Sequence, residues 1–486
     1  MAAPERELEA KLRPRSGLLT NSSALLSSRL VVAVLGWAGT ILIVRRLDAD
    51  EFGRFAFVFS LIGLLSFATD LSSSRVMVRA LAQPDADRAS LAGAYVCLRA
   101  LLGVATYGVA VAFVVLAGYP SDVVVATALA GLGLIIGAVG GALTAVFQAE
   151  VRLGHVAIAD VVGQLAQLAL TVAVALTQPS LLLFVLPALL FDVTVLGWKA
   201  VFVRRLVVPR LSFQPRLWGS VLRQAAPLAV GTALFTLSAQ IPLVLLSKLD
   251  SFAAVGLYGV AVKFVMLAAF LPRALTAPLL PLLVRSWPQD VERFWQTVRR
   301  ALLVLAVAGG ALICAFVPVA DDLIAFLYGE EYREAGVAAA VTVAAVCATF
   351  STQVAITVLI TVGKNRQYIL LGSLSLLATV GITVALVPTL SYEGAAVGSA
   401  SARLLVLVVL AGVALRTVHR RQLPAGRLAA VAGCTLAGTG IGYLVAEVAP
   451  WPVASAAAVL TYVAIVEATR AAGPRGLRSL TGDGRR

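Results

Sequence analysis

Apolar residues run through this chain in blocks of about 20 or more, each long enough for a helix to cross the hydrocarbon of a bilayer. The blocks fall near 24–44, 53–80, 91–117, 122–147, 156–177, 181–203, 221–247, 253–284, 301–327, 336–361, 367–388, 394–416, 427–446 and 452–470. They predict an all-α polytopic membrane protein with about fourteen spanning helices. An outer-membrane barrel would instead show shorter segments of alternating polarity. Only 13% of the residues are charged and 60% are hydrophobic, against about 25% charged in a soluble domain. That composition excludes a soluble enzyme and a disordered chain. With no long stretch of ordinary composition, it also excludes a soluble domain on a single anchor. The first block is too long for a signal-peptide core and lacks a small-x-small cleavage site, so it is expected to be retained.

The net charge is +14. In a soluble protein this would suggest a nucleic-acid partner. Here the basic residues collect in alternate loops, which is how orientation is set in a membrane, so no nucleic-acid partner is expected. One set of loops holds Lys11, Arg88, Arg152, Arg204, Arg205, Arg210, Arg216, Arg285, Lys364, Arg420 and Arg421. The other holds Asp48, Asp122, Asp250, Asp321, Asp322, Glu330, Glu331 and Glu447, with few bases. The positive-inside rule puts both termini in the cytoplasm, in agreement with an even helix count.

Chemistry-bearing motifs are sparse. Cys97, Cys314, Cys347 and Cys434 lie singly inside apolar blocks, as packing residues do, and His155 and His419 sit in separate polar loops. No metal site, cofactor site, catalytic triad or Walker sequence is present, so no catalytic residue is assigned. Gly133, Gly137 and Gly141 predict a small-residue face for close helix packing. From Pro288, the spacing of Val291, Phe294, Trp295 and Val298 predicts an amphipathic helix lying on the cytoplasmic interface.

A short internal repeat is visible. Arg46-Leu47-Asp48 leads to Gly53 and Phe55, and Lys248-Leu249-Asp250 leads to Gly256 and Tyr258. An even number of spans separates the copies, so both face the same way, as in a parallel repeat about the membrane normal. The expected organisation is a 1–23 cytoplasmic tail, a six-helix N-lobe over 24–203 and a cytoplasmic loop over 204–220. A six-helix C-lobe over 221–416, two further helices over 427–470 and a cytoplasmic tail over 471–486 complete it.

Several segments resemble polysaccharide exporters of the Wzx type, within the multidrug, oligosaccharidyl-lipid and polysaccharide exporter superfamily. They are Leu47-Asp48 through Phe55, Asp70 to Arg75, Arg223-Gln224-Ala225-Ala226-Pro227-Leu228 and Val255-Gly256-Leu257-Tyr258 with Lys263. Leu327-Tyr328-Gly329-Glu330-Glu331-Tyr332 and Glu393-Gly394-Ala395-Ala396-Val397-Gly398 belong with them. The resemblance lies in their order and in their positions relative to the spans. It implies a V-shaped pair of lobes with a central cavity that flips a polyprenyl-(pyro)phosphate-linked oligosaccharide by alternating access. It further implies the plasma membrane of a bacterium, a role in cell-surface polysaccharide biosynthesis, and as partners the bilayer, a polysaccharide polymerase and glycosyltransferases of the same pathway.

A charge in hydrocarbon is costly, by about 2.5–3.5 kcal/mol on insertion scales, so those present should face a cavity or a partner. The basic candidates are Arg29, Arg99, Lys263, Arg273 and Arg403, read as a cationic cavity for a phosphate-bearing head group because guanidinium binds phosphate bidentately. Snorkelling to an interface, or internal pairing, is the competing account. Asp70, Arg75, Asp160 and Asp192 are candidates for ion pairs or coupling. Two other readings stand beside the flippase. A cation-coupled drug extruder would want an acid in the first span, and 24–44 holds none. A membrane glycosyltransferase or glycan ligase would want a large external loop bearing catalytic side chains, and the loops on that side are short.

The topology is open to a direct check. In a cysteine-free variant, single cysteines at Ser121, Glu331 and Glu447 should react with an impermeant thiol reagent added outside, while ones at Asp87, Arg210 and Gln422 should not. Reversal at any pair rules the orientation out.

Overall fold

The computed structural model describes residues 16–276, 279–417 and 424–471. The tail as far as residue 15, the loop residues His419, Arg420 and Arg421, and the tail from 472 lie outside them. Among the described residues the regular structure is helical, without strands. Hydrocarbon offers no partner for a backbone N–H, so each segment must satisfy its own polar groups, which a helix does internally.

The elements are α1 (Ser16–Val44), α2 (Ala49–Asp70), α3 (Ser73–Leu81), α4 (Arg88–Leu116), α5 (Ser121–Ala149), α6 (Leu153–Thr177), α7 (Leu181–Val203), α8 (Pro215–Leu249) and α9 (Phe252–Thr276). They continue as α10 (Leu279–Ser286), α11 (Val291–Phe316), α12 (Ala320–Tyr328), α13 (Ala335–Ala348), α14 (Phe350–Thr361), α15 (Asn365–Thr417), α16 (Ala425–Ala446) and α17 (Trp451–Ala468). Among the described residues eleven stretches are long and apolar enough to cross a membrane, and α13 with α14, bent by 41°, makes a twelfth if the pair is one span. The α15 run turns back on itself at Ser391 (φ 51, ψ −134). Gly394 packs on the Leu386 carbonyl and Gly398 on Thr383, so its two arms are an antiparallel hairpin. The two arms of α15 and the shorter apolar stretch Ser28–Val44 of α1 stand beside these among the described residues. This is a multi-pass membrane protein.

The expected interfacial helix from residue 288 is not a separate element. Asp290 accepts a bond from the Arg293 N–H at 3.0 Å and caps α11, which then runs unbroken from Val291 into the span. No Pro, Gly or polar run between Arg299 and Leu302 interrupts it. The amphipathic spacing belongs to the first turns of a spanning helix.

By contacts the chain forms two compact units. One comprises residues up to 43 and 65–226; the other comprises 44–64 and 227 onward. In the first, α4 packs on α5, and α5 and α6 pack on α7, around a cluster that includes Met77, Leu81, Tyr95, Phe147 and Trp218. The glycine face of α5 receives charged side chains from α4 and α7, the helices packed against it. Gly133 and Gly137 lie under the Asp192 carboxylate, and Gly141 lies under the Arg99 guanidinium. The missing side chains make room for charged heads.

In the second unit α16 and α17 pack on α11, with Cys314 and Cys434 inside an apolar cluster. Tyr462 donates to the Val307 carbonyl at 2.9 Å and Ser455 to the Ala315 carbonyl at 2.8 Å. Both cysteines are free thiols serving as packing residues. The start of α2 is bound into this unit by the segment after α12. Arg45 donates to the carbonyls of Leu327 (2.7 Å) and Phe326 (2.6 Å), satisfying the end of α12. Glu331 accepts the Ala49 N–H at 2.9 Å, where the positive end of α2 favours a carboxylate. Tyr332 donates to the Leu47 carbonyl at 3.1 Å. Arg333 bridges Glu330 and Asp322, and its hydrogen bond holds the Glu330 carboxyl below the usual range.

The two copies of the sequence repeat meet here. Gly53 of α2 lies on the Phe252 carbonyl, and Gly256 of α9 lies on the Ala49 carbonyl, each four residues before the other glycine. The helices cross at backbone contact, which only glycine permits. G53A and G256A should each lower the thermal unfolding temperature of the detergent-solubilised protein. G108A, where a Cβ meets nothing, should leave it unchanged or raise it. Equal melting of all three variants would rule out the crossing.

Candidate functional site

The intramembrane charges fall into groups that differ in how they are neutralised. In the second unit, Arg273 and Arg403 line one cavity of about 160 Å³ together with Phe235, Thr352, Gln353 and Ser375. Arg273 follows Pro272 near the end of α9. Arg403 projects from the second arm of α15, one turn beyond Ser399, which accepts a hydrogen bond from Tyr258 of α9 at 3.1 Å. That bond fixes the two helices side by side. The guanidiniums repel each other. Among the described residues no carboxylate pairs with either, and none pairs with Lys263, which is half-buried on α9 outside the cavity lining. The buried Thr352 hydroxyl in the same cavity has no protein partner. Ser375 bonds Ser238 at 2.8 Å, and Ser238 bonds Thr379 at 2.9 Å. A water needs about 10–15 Å³ of such space, so the cavity has room for water beside both guanidiniums.

The first unit treats its charges in the opposite way. Arg99 of α4 is 7% exposed and pairs with Asp70, the last residue of α2, which is 35% exposed. Arg99 also donates to the Tyr95 hydroxyl at 3.2 Å, and Ser73 bonds that hydroxyl at 3.1 Å. The helical backbone is interrupted after Asp70, with Leu71 and Ser72 at positive φ (46 and 57), although 49–81 remains one apolar stretch. The turn carries Ser73 and the carboxylate to the arginine together. Further along, Lys199 of α7 is buried and lies 3.7 Å from Asp160 of α6. Arg29 acts on the same carboxylate from α1, and Asp192 lies in the field of Lys199 over the α5 glycines. Arg29 and Arg75 are themselves exposed.

The structure therefore joins Arg273 with Arg403, Arg99 with Asp70, and Asp160 with Arg29 and Asp192 through Lys199. Sequence reasoning passed over Lys199, because a lysine four residues from the end of a span resembles an interfacial anchor. Its separation from Asp192 by two helical turns, which puts both on one face, was the available signal. Gln353, Thr352 and Ser375 carried none, since single polar residues in spans are common.

Comparison with known proteins adds the family. A family model described as polysaccharide biosynthesis protein matches residues 42–337. No individually curated protein matches the sequence. Among solved structures, the lipid II flippase MurJ in an inward closed conformation has a TM-score of 0.74 at 10% identity, covering 96% of this chain and 100% of that one. An inward-facing multidrug resistance MATE transporter of the MOP superfamily has a TM-score of 0.65 at 16% identity, covering 78% of this chain and 92% of that one. The multidrug transporter DinF-BH, in complex with R6G, has a TM-score of 0.63 at 15% identity, covering 83% and 96%. At these identities the likeness is one of fold.

The paired and unpaired sites should respond differently to mutation. D70N strands a buried guanidinium and should cost on the order of 3 kcal/mol, read as a lowered unfolding temperature. D70L/R99M, which removes both charges, should recover most of that loss. A D70N protein as stable as the parent would show that the pair contributes nothing.

Proposed function

The chain belongs to the polysaccharide biosynthesis protein family, and from that premise we propose that it flips a polyprenyl-(pyro)phosphate-linked oligosaccharide across the cytoplasmic membrane of a bacterium by alternating access. The observation that carries this reading is the pair Arg273 and Arg403, two mutually repelling guanidiniums on one cavity with no carboxylate among the described residues to neutralise them. A site that keeps two unpaired cations inside a membrane protein is arranged for an anion, and a phosphate fits the planar donor fork of each. The unpartnered Thr352 hydroxyl and the Gln353 amide add neutral donors suited to a phosphate or sugar oxygen.

Lys263 adds a positive charge on the same helix as Arg273. The polyprenyl tail gains about 0.8 kcal/mol for each methylene kept in lipid, so it stays in the bilayer while the head group crosses. No step requires bond-making, which suits a chain whose spans carry isolated charges rather than a catalytic set. A second reading, a cation-coupled extruder, draws on Asp160 and Asp192 in the first unit, the groups suited to carrying a proton.

Purified protein in liposomes with a fluorescent lipid-linked sugar separates the two. R273A and R403A should each slow flipping by about tenfold or more, as losing a charge-assisted bond of about 1.5–3 kcal/mol implies. Their folded yield should match the parent's. Flipping at the parental rate in both variants overturns the cationic site. Efflux of a cationic dye driven by a proton gradient, lost in D160N or D192N, would favour the second reading.

A further inference from the structure

We propose that the segment 204–216 is an interfacial anchor that inserts Val208, Leu211 and Phe213 among the head groups of the cytoplasmic leaflet and binds anionic phospholipid through Arg204, Arg205, Arg210 and Arg216. The segment joins two spanning helices, beginning one residue after α7 ends at Val203 and running into the first turn of α8. Its position is therefore at a membrane boundary. Leu206 and Val207 pack inward against the Trp218 cluster. Val208, Leu211 and Phe213 are 64%, 71% and 74% exposed.

This exposure is built in. The Arg210 N–H donates to the Ala89 carbonyl at 2.9 Å, Gln214 to Ser90 at 2.9 Å, and the Trp218 indole to the Ala94 carbonyl at 2.9 Å. The backbone at Arg210 lies directly on Gly93 of α4, where any Cβ would overlap the Arg210 carbonyl. Phe213 stands edge-on to Trp218, with ring centroids 4.4 Å apart. The chain is pinned along its inner side, and its outer side presents three large apolar groups.

Depth follows from the backbone. Residues 207–214 form no helix, so in hydrocarbon their outward N–H and C=O groups would lack partners. At head-group depth water and lipid oxygens satisfy them while the apolar side chains reach the acyl boundary. Partner chemistry follows from the charges. All four arginines are exposed, residues 204–216 contain no acid, and none of the four pairs with a carboxylate among the described residues. Arg88 nearby is neutralised by Glu150. Each arginine near an anionic surface is worth a factor of about 5 in affinity.

The proposal rests on the topology reading but not on transport, and its test measures no flipping. The full-length protein in a cysteine-free background, with Phe213→Cys carrying an environment-sensitive fluorophore, is reconstituted into phosphatidylcholine vesicles and into matched vesicles containing phosphatidylglycerol. With phosphatidylglycerol the emission should shift to the blue, be quenched by a shallow nitroxide lipid and be shielded from iodide. Pure phosphatidylcholine, high salt, or R204Q/R205Q/R210Q/R216Q should each restore iodide access. Should that variant fail to fold, salt alone on the parent protein screens the same charges. A fluorophore open to iodide in both vesicles overturns the proposal, including the case of a loop that awaits a protein partner. Equal quenching in both vesicles, unmoved by salt and by the glutamines, overturns the recognition of anionic lipid.

Discussion

Inside a bilayer there is no water to repair an unpaired polar group, and among the described residues this chain supplies polar side chains at several of its helix breaks and ends. Where α2 ends, Asp70 and Ser73 turn their side chains to Arg99 and Tyr95, so the broken backbone and the buried charge are served by one cluster. Where α12 ends, Arg45 supplies donors to the Phe326 and Leu327 carbonyls. Where α2 begins, Glu331 takes the Ala49 N–H. The charged and aromatic residues of the Leu327 to Tyr332 segment thus have structural work that follows from the termini they meet.

The same constraint makes the contrast between the two units informative. Arg99 and Lys199 in the first are matched by Asp70 and Asp160. Arg273 and Arg403 in the second face a cavity with no acid among the described residues. A buried pair tends toward neutral cost, whereas an isolated buried charge is destabilising unless solvated or bound. A fold that neutralises some of its cations and leaves Arg273 and Arg403 on one cavity without an acid has placed two unmet charges together. That location supports the functional reading better than any count of basic residues along the chain.

Much of the helical plan was legible because the signal was long and periodic. A block of apolar residues such as 181–203 admits one outcome in hydrocarbon, and α7 has those bounds. Breaks within blocks were less legible. Nothing in the residue types at Leu71-Ser72 or Thr349 announces a break. The stretch from residue 288 differs from expectation because amphipathic spacing cannot distinguish a surface helix from the end of a span that carries on. For the candidate site, the charged residues themselves were legible, as each is an exception to apolar composition. Their partners were not. Pairing Arg99 with Asp70 requires the turn at Leu71 and Ser72, and placing Arg403 beside Arg273 requires the hairpin at Ser391 and the Tyr258 to Ser399 bond.

Glycine illustrates why pattern alone stops short. Gly133, Gly137 and Gly141 have the spacing of a helix-packing face, yet they receive Asp192 and Arg99. Gly53 and Gly256 are isolated in sequence, yet they form the backbone crossing of α2 with α9. Both uses follow from the absence of a side chain, and the neighbour decides which one operates. A guanidinium or carboxylate over α5 is tolerated because small residues leave it space. The α2 and α9 backbones touch because each glycine falls four residues after the carbonyl its counterpart covers. Both glycines follow a Leu-Asp pair, Gly53 five residues after Asp48 and Gly256 six after Asp250, so one inserted residue aligns the copies. The short sequence echo between residues 46–55 and 248–258 is therefore also a contact. It binds residues 44–64 to the second unit, although the chain on either side of them, through residue 226, belongs to the first.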